Sequence, residues 1–472
     1  HQTKRRKIHL LDVFQQFQQD EQGKLIDAED LSRKTDLVND LKQLKWVLSD
    51  GPTGVGRSRY GLLIDGSTSF EWAKKYPKNH FTSPCVIQWN GSAPEQTLGL
   101  YNGVLRYSLD HLKLIRRAEL ELKDKYDPIV HDPIIAALGW SDLTQAEKKW
   151  VPPVFLIAEK DDLNKLRWGS LQKLLAGKYP IKVFLFDHIT SPDHDPTQEL
   201  AQTYAGMISI LALKNAFVFQ GGMADVQYLF EGLVEGIDRP YPAFFNLYTI
   251  NHEKHDVENI DWTPYAKLAE SSRAFPAMYY DPAEKGGFLR GAIHLENNPS
   301  FKESWVEEEV SSSNETKNKY TVTWADWAYT QSAWKSHFEL VEEESAITLI
   351  PEYLQLNATS RNDRIPAIMR ADTTGVKYYA VTNKVIEMTE IVLSHWNLLQ
   401  ELAGVLTEFP TRLKEEITKE IKAEYEIKAT EIQKEYEVKL KEMEASQAES
   451  LRQKLKEKLI ALSSMAQSKK KA

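Results

Sequence analysis

Pro152-Pro153-Val-Phe-Leu-Ile-Ala158 is a short apolar run led by prolines, and it reads as a buried strand. Trp168 to Leu175 follows as a helix, with Trp168, Leu171, Leu174 and Leu175 at helical spacing and Gly177 as a stop. Ile181-Lys-Val-Phe-Leu-Phe-Asp187 is a second buried strand that ends on an acid. Such a strand–helix–strand unit implies a parallel pair, with its ligand crevice at the strand carboxyl ends. Further strands are expected at Tyr60–Ile64, Ala216–Gln220, Ala243–Ile250 and Ala277–Tyr280. A long helix is expected over Leu98–Lys123, and shorter ones over Pro196–Leu213 and Met223–Val234. The alternation argues an α/β domain with a largely parallel sheet.

The flanks read differently. Lys24 to Leu48 is mostly helical, and Gly51-Pro-Thr-Gly54-Val-Gly56-Arg57 follows as a glycine-rich loop. That loop lacks the Gly-Lys-Ser/Thr ending of a phosphate cradle and precedes a strand, so it reads as a linker. Residues 283–320 are polar and expected to be loop-rich. Beyond them, Trp324, Trp327, Trp334 and Phe338 are expected to stud one helix as core, with a strand at Lys377–Val381 and a helix at Asn383–Leu402. Pro410 then breaks the chain, and a charged helix is expected to run to about Met465. Within it, Ile421-Lys-Ala-Glu-Tyr-Glu-Ile-Lys428 recurs eleven residues later as Ile432-Gln-Lys-Glu-Tyr-Glu-Val-Lys439. An eleven-residue period drifts towards a right-handed supercoil. Its seam is Leu413, Ile417, Ile421, Tyr425, Ala429, Ile432, Tyr436, Leu440 and Met443, resumed by Leu451, Leu455, Leu459 and Leu462. A continuous aliphatic seam points to a partner helix or a second copy rather than to a single solvated helix.

The expected organisation is therefore an N-terminal helical segment (1–50), an α/β domain (51–310), a small α+β region (311–409), a long coiled-coil-like helix (410–466) and a tail (467–472).

The α/β portion resembles the thiamine-diphosphate (TPP) domain of pyruvate:ferredoxin (flavodoxin) oxidoreductases. The family's Gly-Asp-Gly frame falls on Glu159-Lys160-Asp161, and its Ser-Asn-Thr-Gly-Gly frame on the Pro192-Asp193-His194 neighbourhood. Gly61-Leu-Leu-Ile-Asp-Gly66-Ser67-Thr-Ser69 resembles Asn-Ala-Thr-Gly-Cys-Ser-Ser. Leu247-Tyr248-Thr249-Ile250-Asn251-His252 resembles the strand ending Ser-Pro-Cys-Ile-x-His, and Pro276-Ala-Met-Tyr-Tyr-Asp-Pro282 resembles Leu-Tyr-Arg-Tyr-Asn-Pro. The likeness covers roughly residues 45–310. It implies a TPP-binding-like fold whose degenerate cofactor frame is Glu159, Lys160, Asp161, Asp187 and Asp193. In the family an Asp and an Asn hold the magnesium that clamps the diphosphate, and Lys160 in the Asp frame would repel that cation. Ser67 and Thr249 occupy cysteine frames of the family's iron–sulfur cluster. The Cys-x-x-Cys pair expected near Val38–Lys45 is absent.

Composition sets further bounds. The chain has 472 residues, is 42% hydrophobic and carries a net charge of −9, which gives no bulk attraction to nucleic acid or anionic membrane. No apolar run is long enough to span a bilayer. The opening His1-Gln-Thr-Lys-Arg-Arg lacks an apolar h-region, so no signal peptide and a cytoplasmic location are expected. The missing initiator Met suggests a carboxyl-terminal portion of something longer. Cys85 is the one cysteine. A [4Fe–4S] cluster needs about four thiolates, so no cluster is expected on this chain. Cys85 has no local activating charge and reads as a small buried residue.

A second candidate site comes from residues after two strands: His188, Asp193 and His194 after one, His252 and His255 after another. Side chains of these types could hold zinc or another divalent metal, although their spacing matches no ligand signature. The leading expectation is a non-catalytic structural or regulatory subunit derived from the TPP domain, with no cofactor, that contacts other subunits or itself through residues 410–466. One alternative is an active 2-oxoacid oxidoreductase that uses an altered TPP and magnesium site with other domains. The other is a metal-dependent activity at the His/Asp cluster.

Overall fold

β3 (Val154–Glu159) and β4 (Ile181–Asp187) lie parallel, with Val154 opposite Ile181 and Glu159 opposite Phe186. The rest of a mixed α/β sheet is built out from this pair. The computed structural model describes residues 28–65, 73, 85–88, 93–160, 168–189, 196–250, 262–284, 289, 291–311, 317–341, 346–372, 375–406 and 409–468. In chain order the first elements are α1 (Ala28–Ser49), β1 (Gly61–Asp65), β2 (Cys85–Gln88), α2 (Ala93–Leu122), α3 (Pro128–Ala136) and α4 (Gln145–Trp150). After β3 come α5 (Trp168–Ala176), β4, α6 (Pro196–Leu213), β5 (Phe217–Gly221), α7 (Val226–Asp238), β6 (Ala243–Tyr248), α8 (Thr263–Ser271), β7 (Met278–Tyr280) and β8 (Ile293–His294). The eight-stranded sheet has the order β2-β1-β3-β4-β6-β5-β7-β8. Its first six strands are parallel, and β7 and β8 are added antiparallel.

Strand side chains alternate between the two faces. Leu63, Leu156, Val183 and Leu185 pack with Tyr101 and Leu105 of α2, Leu171 and Leu174 of α5, and Ile210 of α6. On the other face Phe217, Phe219, Phe245 and Leu247 meet Leu229 and Leu233 of α7. Full burial of each such side chain contributes about 1.5–3 kcal/mol. Helix α7 sits close because glycines face the aromatic layer. A Cβ at Gly232 would fall on the Phe219 ring, and one at Gly236 would lie 2.6 Å from both Phe217 and Phe245. The expected helix start at Met223 moves to Val226, because the Asp225 side chain caps the helix by accepting from Tyr228 N.

Lys182 explains itself only in three dimensions. It is fully buried within β4, and its Nζ donates to Gly236 O, Arg239 O and Tyr241 O at 2.8, 2.6 and 2.7 Å. All three ammonium protons thus satisfy carbonyls at the end of α7 that the helix itself leaves unpaired.

Downstream are β9 (Val306–Ser311), β10 (Lys317–Val322), α9 (Trp324–Tyr329), β11 (Phe338–Val341), β12 (Ile347–Leu349), α10 (Ile350–Gln355), α11 (Ala358–Arg361), β13 (Ile365–Asp372), β14 (Gly375–Val381) and α12 (Asn383–Ala403). β9 and β10 form a hairpin, and β11-β14-β13-β12 form a four-stranded sheet. The tryptophans do not share one helix. α9 ends at Tyr329, Trp334 lies in a 3-10 turn (Ser332–His337), and Phe338 opens a strand. The turn brings the rings together all the same: Trp324 and Trp334 meet edge-to-face at 5.1 Å, both fully buried.

Packing runs across the division expected near residue 310, and the chain through Val405 is one compact unit. Trp396 Nε1 donates to Glu303 O at 2.9 Å, and Gln400 Nε2 donates to Phe301 O at 2.9 Å. The Arg273 guanidinium stacks 4.2 Å from the Trp396 ring. Leu406–Ala472 is a second unit, whose helix α13 (Phe409–Ser468) starts one residue before Pro410. Proline fits a first turn, where its missing N–H has no helical partner to lose. The seam residues from Leu413 to Leu459 are exposed. Among the described residues no helix is long and apolar enough to cross a membrane.

Close packing at Gly232 sets an opposition between two helical glycines. Gly232→Ala overpacks the Phe219 contact and is expected to cost about 1–3 kcal/mol. Gly103→Ala, exposed on α2 with no atom near its Cβ position, is expected to stabilise by roughly 0.5–1 kcal/mol. Thermal unfolding of the two variants should therefore shift in opposite directions.

Candidate functional site

The connection leaving β1 passes to β2 on one side, and that leaving β3 passes to β4 on the other. The order reverses between them, which is where α/β sheets form their ligand crevices, at the strand carboxyl ends. β3 ends there in Glu159 and runs into Lys160.

Lys160 is 1% exposed. Its Nζ lies 3.2 Å from Asp187 Oδ1 at the end of β4 and 3.9 Å from Glu199 Oε1 on α6. It also donates to the Ile189 carbonyl. Asp187 Oδ1 in turn accepts from Ile189 N at 2.7 Å. Both bonds converge on a strained residue: Ile189 has φ of 68°. A β-branched side chain rarely adopts that conformation, and it costs on the order of 1–3 kcal/mol. A buried pair of this kind resists deletion, since removing one partner costs about 3–5 kcal/mol by leaving the other charge unanswered. The cavity beside the pair, enclosed by Leu200, Tyr204, Met207, Gln220 and Asn246, measures about 10 Å³. That is room for one water.

A second set of contacts crosses three neighbouring strand ends. His188 follows β4, and its Nδ1 lies 3.0 Å from Thr249 O and 3.1 Å from Thr249 Oγ1, after β6. Its Nε2 lies 3.4 Å from Glu159 Oε1, at the end of β3. His188 thus bridges the strand ends, one ring nitrogen facing Thr249 and the other the Glu159 carboxylate, and its tautomer sets which nitrogen donates. Glu159, Lys160, Asp187, His188 and Thr249 thus come together. Asp161, Asp193, His194, His252, His255 and Ser67 lie outside the described residues. Among the described residues no group of three His, Cys, Asp or Glu side chains is placed to hold a metal ion. Cys85 is half-buried on β2, and burial pushes its thiol pKa up.

Glu270 is a titratable group that the sequence reading missed. It is buried on α8, alongside Ala266 and Ala269. Burial, reinforced by the nearby Asp225 carboxylate, pushes its pKa up to about 8. The one signal was an acid falling on the apolar stripe of a helix. Tyr204 of α6 and His395 of α12 were missed as well; their rings stack at 3.6 Å, within 3° of parallel.

No family model matches this chain, and comparison with curated proteins finds no match.

A raised carboxyl pKa means that the folded chain holds a proton the unfolded chain releases above its ordinary value near 4.5. The stabilising effect is full below about pH 4.5 and is lost as pH rises to about 8. Glu270→Gln is therefore expected to flatten the decline in stability between pH 5 and 8, by a few kcal/mol at most. Denaturant unfolding of both proteins across that range checks it; parallel profiles would refute the assignment.

Proposed function

We propose that this chain is a non-catalytic structural or regulatory subunit, built on a scaffold related to the TPP domain of 2-oxoacid:ferredoxin oxidoreductases. The observation that carries the reading is Lys160. The resemblance puts a magnesium-binding carboxylate in its frame, yet the residue there is a buried ammonium already held by Asp187, Glu199 and the Ile189 carbonyl. Asp187, another residue of that frame, is spent on the same pair. The water-sized cavity beside them is far too small for a diphosphate. Together the buried ammonium and the spent carboxylate argue against a magnesium–diphosphate group at these described residues.

Two exposed apolar surfaces support an interaction role. On α7, Val226, Phe230, Val234 and Ile237 form an outward stripe, with Phe230 67% exposed. On α13 the eleven-residue seam is exposed from Leu413 to Leu459. A continuous seam of this kind is most simply buried against a second copy of itself.

Isothermal titration with TPP, with and without magnesium, is expected to give no heat at millimolar ligand. Magnesium-dependent binding at micromolar affinity would transfer the lead to an enzyme with an altered cofactor site. Self-association has its own test in sedimentation equilibrium. The chain is expected to dimerise, and Ile421→Glu with Ile432→Glu to raise the dimer dissociation constant at least about tenfold, because two apolar layers become charged. A wild-type chain that stays monomeric at tens of micromolar would remove the seam from the proposal.

A further inference from the structure

Helices α6 and α12 pack side by side, and between them opens a groove of about 510 Å³. Its walls include Ile208, Ser209, Ile391 and Leu398, with Tyr204 and His395 stacked together. The volume lies in the range of small-molecule sites, roughly 300–1,000 Å³. Among the described residues no Asp, Glu, Lys or Arg lines it. One polar demand stands out. His395 is 7% exposed, and no hydrogen-bond partner meets its ring nitrogens among the described residues. Burial pushes its pKa down to about 3, so the imidazole is neutral. A neutral imidazole offers one N–H donor and one bare nitrogen acceptor, so a polar group entering the groove could meet either one.

We propose that the α6–α12 groove binds an uncharged, mostly apolar small molecule carrying one hydroxyl group, with the hydroxyl on His395 and the apolar body along Ile208, Ile391 and Leu398. A hydroxyl can donate to the bare nitrogen or accept from the N–H, so it serves either tautomer. A carboxylate or ammonium group would lose its water and find no opposite charge in the lining. The polar lining is limited to Tyr204, Ser209, Ser394 and His395 in an otherwise apolar wall, and Tyr204 Oη is buried with no partner among the described residues, which suits a small ligand with one polar group.

Calorimetric titration of the full chain with 4-octylphenol tests this, with 4-octylbenzoate and octylbenzene as comparison probes. One octylphenol per chain is expected, with octylbenzoate at least tenfold weaker. His395→Phe keeps the aromatic stack on Tyr204 and removes the nitrogens; it is expected to weaken octylphenol about three- to tenfold, the value of one hydrogen bond, and to leave octylbenzene unchanged. Ala212→Phe, at an exposed position on the groove wall, is expected to abolish binding while leaving thermal unfolding unchanged. The proposal is overturned if octylphenol does not bind, if its binding survives Ala212→Phe, or if octylbenzoate binds most tightly. It also falls if Ala212→Phe changes the oligomeric state of the probe-free chain, because the groove would then be a protein contact.

Discussion

A charged amine survives in a protein interior only where opposite charge and hydrogen-bond acceptors surround it. Lys160 meets that condition by drawing on three separate elements: Asp187 from β4, Glu199 from α6 and the carbonyl of the strained Ile189 between them. The carboxyl ends of the two central strands are therefore tied to each other and to the first turn of the helix that follows. The left-handed conformation at Ile189 is held from both sides by the same two side chains.

The region beyond residue 310 is joined to the preceding segment by polar contacts as well as apolar ones. Trp396 and Gln400 on α12 donate to carbonyls of the 301–303 segment, and Arg273 covers the Trp396 ring. Burial lowers the Arg273 guanidinium pKa to about 10; its Nε donates to the Ser304 carbonyl and its Nη2 to those of Ser300 and Glu303, while Nη1 has no partner among the described residues. A polar connecting stretch is thus part of the folded unit, its backbone oxygens serving as acceptors.

What the sequence disclosed follows from how local each signal is. The bounds of β4 and α6 could be read directly, because each is an apolar run bracketed by proline, glycine or acid. The start of α7 was read three residues early, because Met223 and Ala224 extend the apolar pattern while the Asp225 cap decides where the helix begins. The tryptophan spacing fits a helix equally well when a turn interrupts it. At the site, the convergence of Glu159, Asp187 and the residues after β6 was legible from parallel topology alone. The burial of Lys160 was not, since its partner comes from the neighbouring strand. The Tyr204–His395 stack was hidden for the same reason: each ring falls on an ordinary helical face, and only the packing of α6 on α12 joins them.

Lys182 gives the sheet a defence against its own most available error. Successive strand residues point to opposite faces, so sliding β4 by one position along β3 or β6 exchanges its inward and outward sets. β4 is apolar on both faces, and with Ile, Val, Leu and Phe alone such a slip would trade one oily surface for another at small penalty. With Lys182 in the strand, the slip would carry an ammonium into the aliphatic layer beneath α5 and α6 and strip three carbonyls at the end of α7 of their donor. The alignment of the central strand is thus enforced by a single misfit that only one register accommodates.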